Sequence, residues 1–405
     1  MRQYFLFFVT LCIIGNLYAQ KKNFTYKFYG QVRGDLFYNS RANEETVDGL
    51  FYMYPKDIKK DADGKDLNAT SNGSFYLLYS RIGLDVTGPK IGKAVTSAKI
   101  EADFRGSGSN YAMLRIRHAY VNLDWGWSDI LIGQAWHPLF GDVSPQVLNL
   151  STGAPFQPFN RSPQIRYRYR NSGWQLTAAV LWQLQYLSTG PNGKSEEYIK
   201  NSCVPEVYIG ADYKRDGWIV GAGLEVLSLT PRTQTIVDGK TYKVSERVTS
   251  VSGEAHVKYA RERWMVAAKT LLASNLTQES MLGGYGVTAI NSHSGEQEYT
   301  PFLHSMTWLN VVYGTKWRPG FFLGYLKNLG TSSPLVGAIY GVGLDVDQLV
   351  TANVQLSYNL PHWKLGMEYG PSTAWYGDLN KENGKIQNTH TVTNHRVLGT
   401  LIYMF

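Results

Sequence analysis

Between residues 164 and 171 the chain reads QIRYRYRN, so Ile165, Tyr167 and Tyr169 alternate with Arg166, Arg168 and Arg170. Strict alternation predicts a β-strand, because successive side chains point to opposite faces of the pleat. At a rise of about 3.4 Å per residue, the three guanidinium groups stand in a row about 7 Å apart. The same period of two recurs in KFYGQVRGDLFY from Lys27, SRIGLDVTG from Ser80, SAKIEADFRG from Ser97 and LRIRHAYVNL from Leu114. Alternation starts near Phe24 and continues to the last residue, with no helical stretch and no domain linker.

Tight turns punctuate the strands: GPKIG at 88–92, DWGWSD at 124–129, RNSGW at 170–174, KRDGW at 214–218, ARERW at 260–264, WRPGF at 317–321 and NLPHW at 359–363. Gly, Pro, Asn and Asp account for the turning. The tryptophans beside nearly all of them mark one end of the strands as a membrane interface, where indole rings settle. Between the turns lie longer segments at 41–74, 106–111, 138–163, 188–203, 232–246, 277–299, 330–345 and 378–390. Seven short turns and eight long loops predict about sixteen strands with both chain ends on the short-turn side. The expected fold is therefore all-β: a transmembrane antiparallel β-barrel with short periplasmic turns and long extracellular loops. Closure is what lets strands cross lipid without unpaired edges.

The chain ends support this. Gly399, Leu401, Tyr403 and the final Phe405 share one face of the last strand, a pattern expected to be read by the outer-membrane barrel-assembly machinery. At the other end Arg2 precedes an apolar run to Ile14, and Ala19 follows, which predicts a signal peptide over residues 1–19 and a barrel over 20–405. A large residue, Leu11, precedes Cys12, against lipidation there, and Cys203 is then left without a disulfide partner. Composition agrees: 28 Tyr, 11 Trp, 16 Phe and 40 Gly beside only 18% charged residues suit a β-rich wall rather than helices. The net charge of +8 is dispersed rather than in basic runs, which argues against a nucleic-acid partner.

In such a barrel the apolar face meets lipid and the charged face meets water. That rule turns Arg33, Arg81, Arg105, Arg115, Arg117, Arg166, Arg168 and Arg170 into the lumen, with Asp35, Asp85, Glu101 and Asp103 among them. It places His118 on the lipid side with Leu114, Ile116 and Tyr120. Two roles compete for the charged residues. Lys99, Glu101, Asp103 and Arg105 read best as a ladder that stiffens the wall; Arg115, Arg117 and Arg166 to Arg170, where acids are fewer, read best as a stripe attracting anions. Arginine suits that role because its planar fork stays charged. The third long segment, 138–163, is rich in proline and apolar residues and either caps the barrel or folds in to constrict it, with Asp142, Asn149 or Arg161 near the opening. Eight histidines show no metal-ligand spacing, and DADGKD at 61–66 lacks the full calcium-loop pattern, so no cofactor or metal is expected.

Three stretches carry a family resemblance: Arg115, Arg117, His118, Ala119 and Tyr120; Gly133, Gln134 and Trp136; and the basic strand RSPQIRYRY. Together they resemble the DcaP-like family of trimeric outer-membrane transporters in the porin superfamily. The resemblance implies sixteen-stranded protomers, a homotrimer, and arginine-lined passage of small anionic solutes such as dicarboxylates. A first strand so close to residue 20 leaves no room for the periplasmic coiled coil of described members. The expected function is thus a non-enzymatic diffusion channel of the bacterial outer membrane, with the bilayer and small anions as partners. The alternatives are a barrel protease or phospholipase using His118, and a structural or adhesive barrel.

Overall fold

A computed structural model describes residues 24–46, 49–104 and 113–405. Residues 1–19, and Arg105 with the second loop, lie outside the described residues. Sixteen staves form one closed antiparallel barrel. They are β1 Thr25–Asn39, β2 in two halves Asn72–Tyr76 and Arg81–Thr87, β3 Val95–Asp103, β4 Arg115–Asp124, β5 Ser128–Trp136, β6 Arg161–Asn171, β7 Trp174–Leu181 and β8 Glu206–Arg215. The second half comprises β9 Trp218–Leu229, β10 Val248–Arg261, β11 Trp264–Ser274, β12 Gln297–Tyr313, β13 Trp317–Thr331, β14 Val346–Leu360, β15 Trp363–Leu379 and β16 Ile386–Met404. The expected class and strand number hold. One turn falls slightly earlier than read, because β12 ends at Tyr313 and β13 already begins at Trp317.

Closure joins β1 to β16, with Gln31 opposite Met404 and Asn39 opposite Arg396. The last residue takes part: Phe405 N donates to Gly30 O at 3.0 Å and Gly30 N to Phe405 O at 2.9 Å. A side chain at Gly30 would run into the Phe405 ring, so the closing strand needs glycine there. At the short-turn end each tryptophan sits against a tyrosine of the adjoining strand: Trp218 with Tyr259, Trp264 with Tyr313, Trp317 with Tyr358 and Trp363 with Tyr403, centroids 4.6–4.7 Å apart. These pairs, exposed on the outer wall, form the interfacial girdle.

The core lies inside the barrel rather than between layers. Leu139, Val143 and Phe156 of the third loop pack on the inward Met306 and Trp308 of β12 and Phe322 and Leu326 of β13. Here the rule of charged residues facing inward fails, since both faces of these strands are largely apolar. The inner one is covered by loop instead of water. Burying such side chains stabilises by about 1.5–3 kcal/mol each, which is why the loop folds inward. The first loop joins it, with Phe51 edge-on to Phe159 at 5.0 Å. Gly324 is required by this packing, because a Cβ there would meet the Phe156 ring at 2.4 Å.

Candidate functional site

The inner wall opposite the apolar strands carries the charges. Asp103 binds Arg115 at 2.8 Å and Arg117 at 3.1 Å; Glu101 binds Arg117 at 2.6 Å and approaches Arg81 at 3.7 Å. Lys99 extends the chain to Asp85 at 2.7 Å and to the Tyr29 hydroxyl at 2.8 Å, which donates to Glu101 at 2.9 Å. Arg33 pairs with the buried Asp35 at 2.8 Å and donates to Leu148 O of the third loop at 2.7 Å. The guanidinium carbons of Arg33, Arg81 and Arg117 each stand 5.7 Å from the centre of the Tyr79 ring. Tyr79 sits in the break between the halves of β2, a position that alternation does not single out.

One expectation is corrected on β4. The register against β3 slips between Glu101, opposite His118, and Ala102, opposite Ile116, leaving Arg117 as the extra residue of a bulge. A bulge reverses the facing of everything beyond it. His118 and Tyr120 therefore point into the lumen, where His118 meets Tyr120 and Trp136 edge-on at 6.2 and 6.0 Å. Gln134 Nε2 donates to both Ile116 O and Arg117 O and holds the bulge. Opposite Tyr120, Gly133 has φ of 130°, and a Cβ there would lie 2.3 Å from Ala119 O. The glycine and glutamine of the family-like motif thus shape the backbone.

On β6 the three arginines part company. Arg168 lies directly opposite Asp129 of β5 and binds it at 3.0 Å; Arg170 binds the same carboxylate and reaches Asp124 at 3.8 Å. Arg166 lies between Leu131 and Ala179 in register and makes no ion pair among the described residues, and its Nε is buried without an acceptor. Its side chain lines a cavity of about 160 Å³ with His118, Tyr120 and Trp136, and a smaller one of about 40 Å³ with Asp212 and His256. The eight described arginines on β1, β2, β4 and β6, with Lys99, thus stand against the carboxylates of Asp35, Asp85, Glu101, Asp103, Asp124 and Asp129, so positive charge is in excess.

The third-loop residues separate as well. Asp142 lines both cavities and binds Lys214 of β8 at 2.5 Å. Burial pushes its carboxyl up, but Lys214, with Arg168 and Arg166 beyond, more than offsets this and holds it below the usual range. Asn149 and Arg161 do not reach an opening. Asn149 is buried where its backbone N–H and that of Leu148 donate to Glu368 of β15. Arg161 is fully buried over Trp136, 4.6 Å from the ring centre, with Nη2 donating to the Tyr186 hydroxyl at 3.0 Å. Across the barrel, Gln146 N donates to Asn310 Oδ1 at 2.7 Å and Trp308 Nε1 to Gln157 Oε1 at 2.9 Å. The loop therefore spans the lumen from β5 to β12 and β15. A further cavity of about 490 Å³ on the loop side is lined by Phe51, Arg115, Tyr186, Lys194 and Thr277.

A closed barrel with a girdled outer wall, a charged inner wall and an in-folded third loop is the architecture of the porin class. Residues 18–181 match the model of the DcaP outer membrane protein family, which bears out the resemblance carried by Arg115 to Tyr120 and Gly133 to Trp136. The outer membrane channel DcaP of Acinetobacter baumannii superposes with a TM-score of 0.67 at 18% identity, covering 95% of this chain and 99% of that one. OmpT of Vibrio cholerae in its trimer form gives 0.55 at 13% identity, over 95% of this chain and 100% of that one. An anion-selective porin from Comamonas acidovorans gives 0.55 at 11%, over 94% and 100%. No curated protein matches the chain. The protein is an outer-membrane β-barrel with a porin-like fold.

Proposed function

We propose that the protein is an outer-membrane channel for small, preferentially anionic solutes, dicarboxylates among them. Arg166 carries this reading: a lumen guanidinium with no carboxylate opposite it, lining the space beside the third loop. Its fork matches a carboxylate, and an unpaired charge between low-dielectric walls concentrates anions near it. The paired arginines contribute shape and a smaller net field. The third loop acts as the constriction, with Asp142 at its edge. His118 favours no hydrolase, since it packs against two rings and makes no hydrogen bond among the described residues. Export by residues 1–19, recognition of Phe405 by the assembly machinery and association as a homotrimer complete the reading; crosslinking in native membranes tests the last.

Pure protein in planar bilayers provides the functional test. Discrete conductance steps are expected, with a reversal potential in a KCl gradient of the sign given by chloride permeation. Proteoliposomes should take up succinate faster than a neutral sugar of similar size. Absence of steps, or a cation-selective potential, contradicts the proposal.

A further inference from the structure

Behind the third loop, side chains from four separate segments converge. His137 opens the loop, Glu206 begins β8, Glu225 lies on β9, and Glu279 ends a 3₁₀ turn, Thr277–Glu279, in the sixth loop. All four are at most 1% exposed. His137 Nε2 lies 2.8 Å from Glu206 Oε1, and its Nδ1 lies 3.6 Å from Glu279 Oε1. One donor atom each from His137, Glu206 and Glu279 fall within 4.8 Å of one another, the spread of ligands around a single ion. The carboxyl of Glu225 abuts that of Glu206 and accepts from Gln278 Nε2 at 3.4 Å.

A second observation concerns what these atoms lack. Oε2 of Glu206, Oε2 of Glu225, Oε2 of Glu279 and Oε1 of Gln278 are buried with no hydrogen-bond partner among the described residues. Native interiors rarely leave so many acceptors unsatisfied together, and buried like charges need a counter-charge. Lys269 supplies only part of one, since its Nζ is bound to Leu139 O and Phe140 O and it also faces Glu254 and Asp212. Three buried carboxylates therefore leave negative charge for a dication to offset.

We infer that His137, Glu206 and Glu279, with Glu225 beside Glu206, hold one divalent cation that clamps the third loop to the barrel wall and to the sixth loop. One imidazole nitrogen among carboxylate oxygens selects a first-row ion such as Zn²⁺ or Mn²⁺ over Ca²⁺, because imidazole is a poor ligand for hard alkaline-earth ions. Leu139 N–H now points at His137 Nδ1 at 3.1 Å. A cation on Nε2 places the ring proton on Nδ1, so loading turns that amide away and moves the start of the third loop. The ion is thereby coupled to the segment that narrows the lumen.

The test uses purified full-length barrel in detergent, stripped with chelator and titrated separately with Zn²⁺, Mn²⁺ and Ca²⁺ by calorimetry, with metal content and thermal unfolding measured in parallel. One equivalent of Zn²⁺ or Mn²⁺ per chain is expected, with a raised unfolding temperature and weaker binding of Ca²⁺. His137→Gln and Glu279→Gln should each lose at least tenfold in affinity. The glutamate variant should still fold, since an amide there relieves like-charge repulsion. Absence of stoichiometric binding, preference for Ca²⁺, or full affinity in both variants overturns the inference; the cluster is then neutralised by protons.

Discussion

The barrel has two inner walls that differ in kind. On β11 to β13 most inward side chains are apolar and serve as the floor on which the third loop lies, through Trp308 and Phe322, with Lys269 and Asn310 tying its backbone. On β1 to β6 arginines and acids are prominent, and the part of that wall the loop leaves uncovered is left to water or solute. The difference shows what an inward residue is for: where the loop packs, the wall is built as a protein core, and where it does not, the wall is built as a charged surface. Within the charged wall there is a second division. Arg117 is 4% exposed and held by Glu101 and Asp103, whereas Arg166 faces Leu131 and Ala179. The residue type is the same; cross-strand register decides whether it is structural or free.

The largest effect is expected from removing the loop that distinguishes the walls. Deleting residues 142–158 should raise single-channel conductance severalfold and lower thermal stability, because Trp308 and Phe322 become exposed to the lumen. Unchanged conductance would place the constriction elsewhere. Next, Arg117→Gln should destabilise the barrel by about 3 kcal/mol, since it leaves the buried Glu101 with only the more distant Arg81 and Asp103 with only Arg115. Urea unfolding of the barrel in lipid vesicles reads this out, and a loss below about 1 kcal/mol would show that the network behaves as an exposed one. The smallest effect concerns the edge of the loop. Because the Asp142 carboxyl is held low, its tie to Lys214 is present above the unfolded value of about 3.9 and is lost as pH falls through the lower folded value. Open-channel noise should therefore be flat from neutral pH down to about pH 4 and rise below it, and Asp142→Asn should show that noise at every pH.

Much of this architecture is legible without coordinates, because alternation and turn chemistry are local signals and sixteen strands carry them repeatedly. The Trp-Tyr girdle follows from the same turns. Alternation puts His118 on the lipid face because a bulge at Arg117 leaves no mark in the sequence; only the slip of Glu101 and Ala102 against β4 reveals it. Sequence alone leaves the apolar loop open between cap and plug, since the inward Met306, Trp308 and Phe322 look like any apolar run until their partner is known. Arg166 could not be told from Arg168, because Asp129 lies on another strand and pairing depends on register. His137, Glu206 and Glu279 are about seventy residues apart in sequence, so no spacing rule finds them; barrel closure brings them together.

The central claim is that Arg166, and not the paired arginines around it, sets the preference for anions. Reversal potentials in a KCl gradient should be compared for the parent protein, Arg166→Gln and Arg168→Gln in the same bilayers. Arg166→Gln is expected to fold normally and to shift the potential towards zero, while Arg168→Gln shifts it less, because the Arg168 fork is already held by Asp129 at 3.0 Å and is not free to meet a solute. If Arg166→Gln assembles and keeps the parent potential, the unpaired guanidinium is not the selectivity element and the account is contradicted.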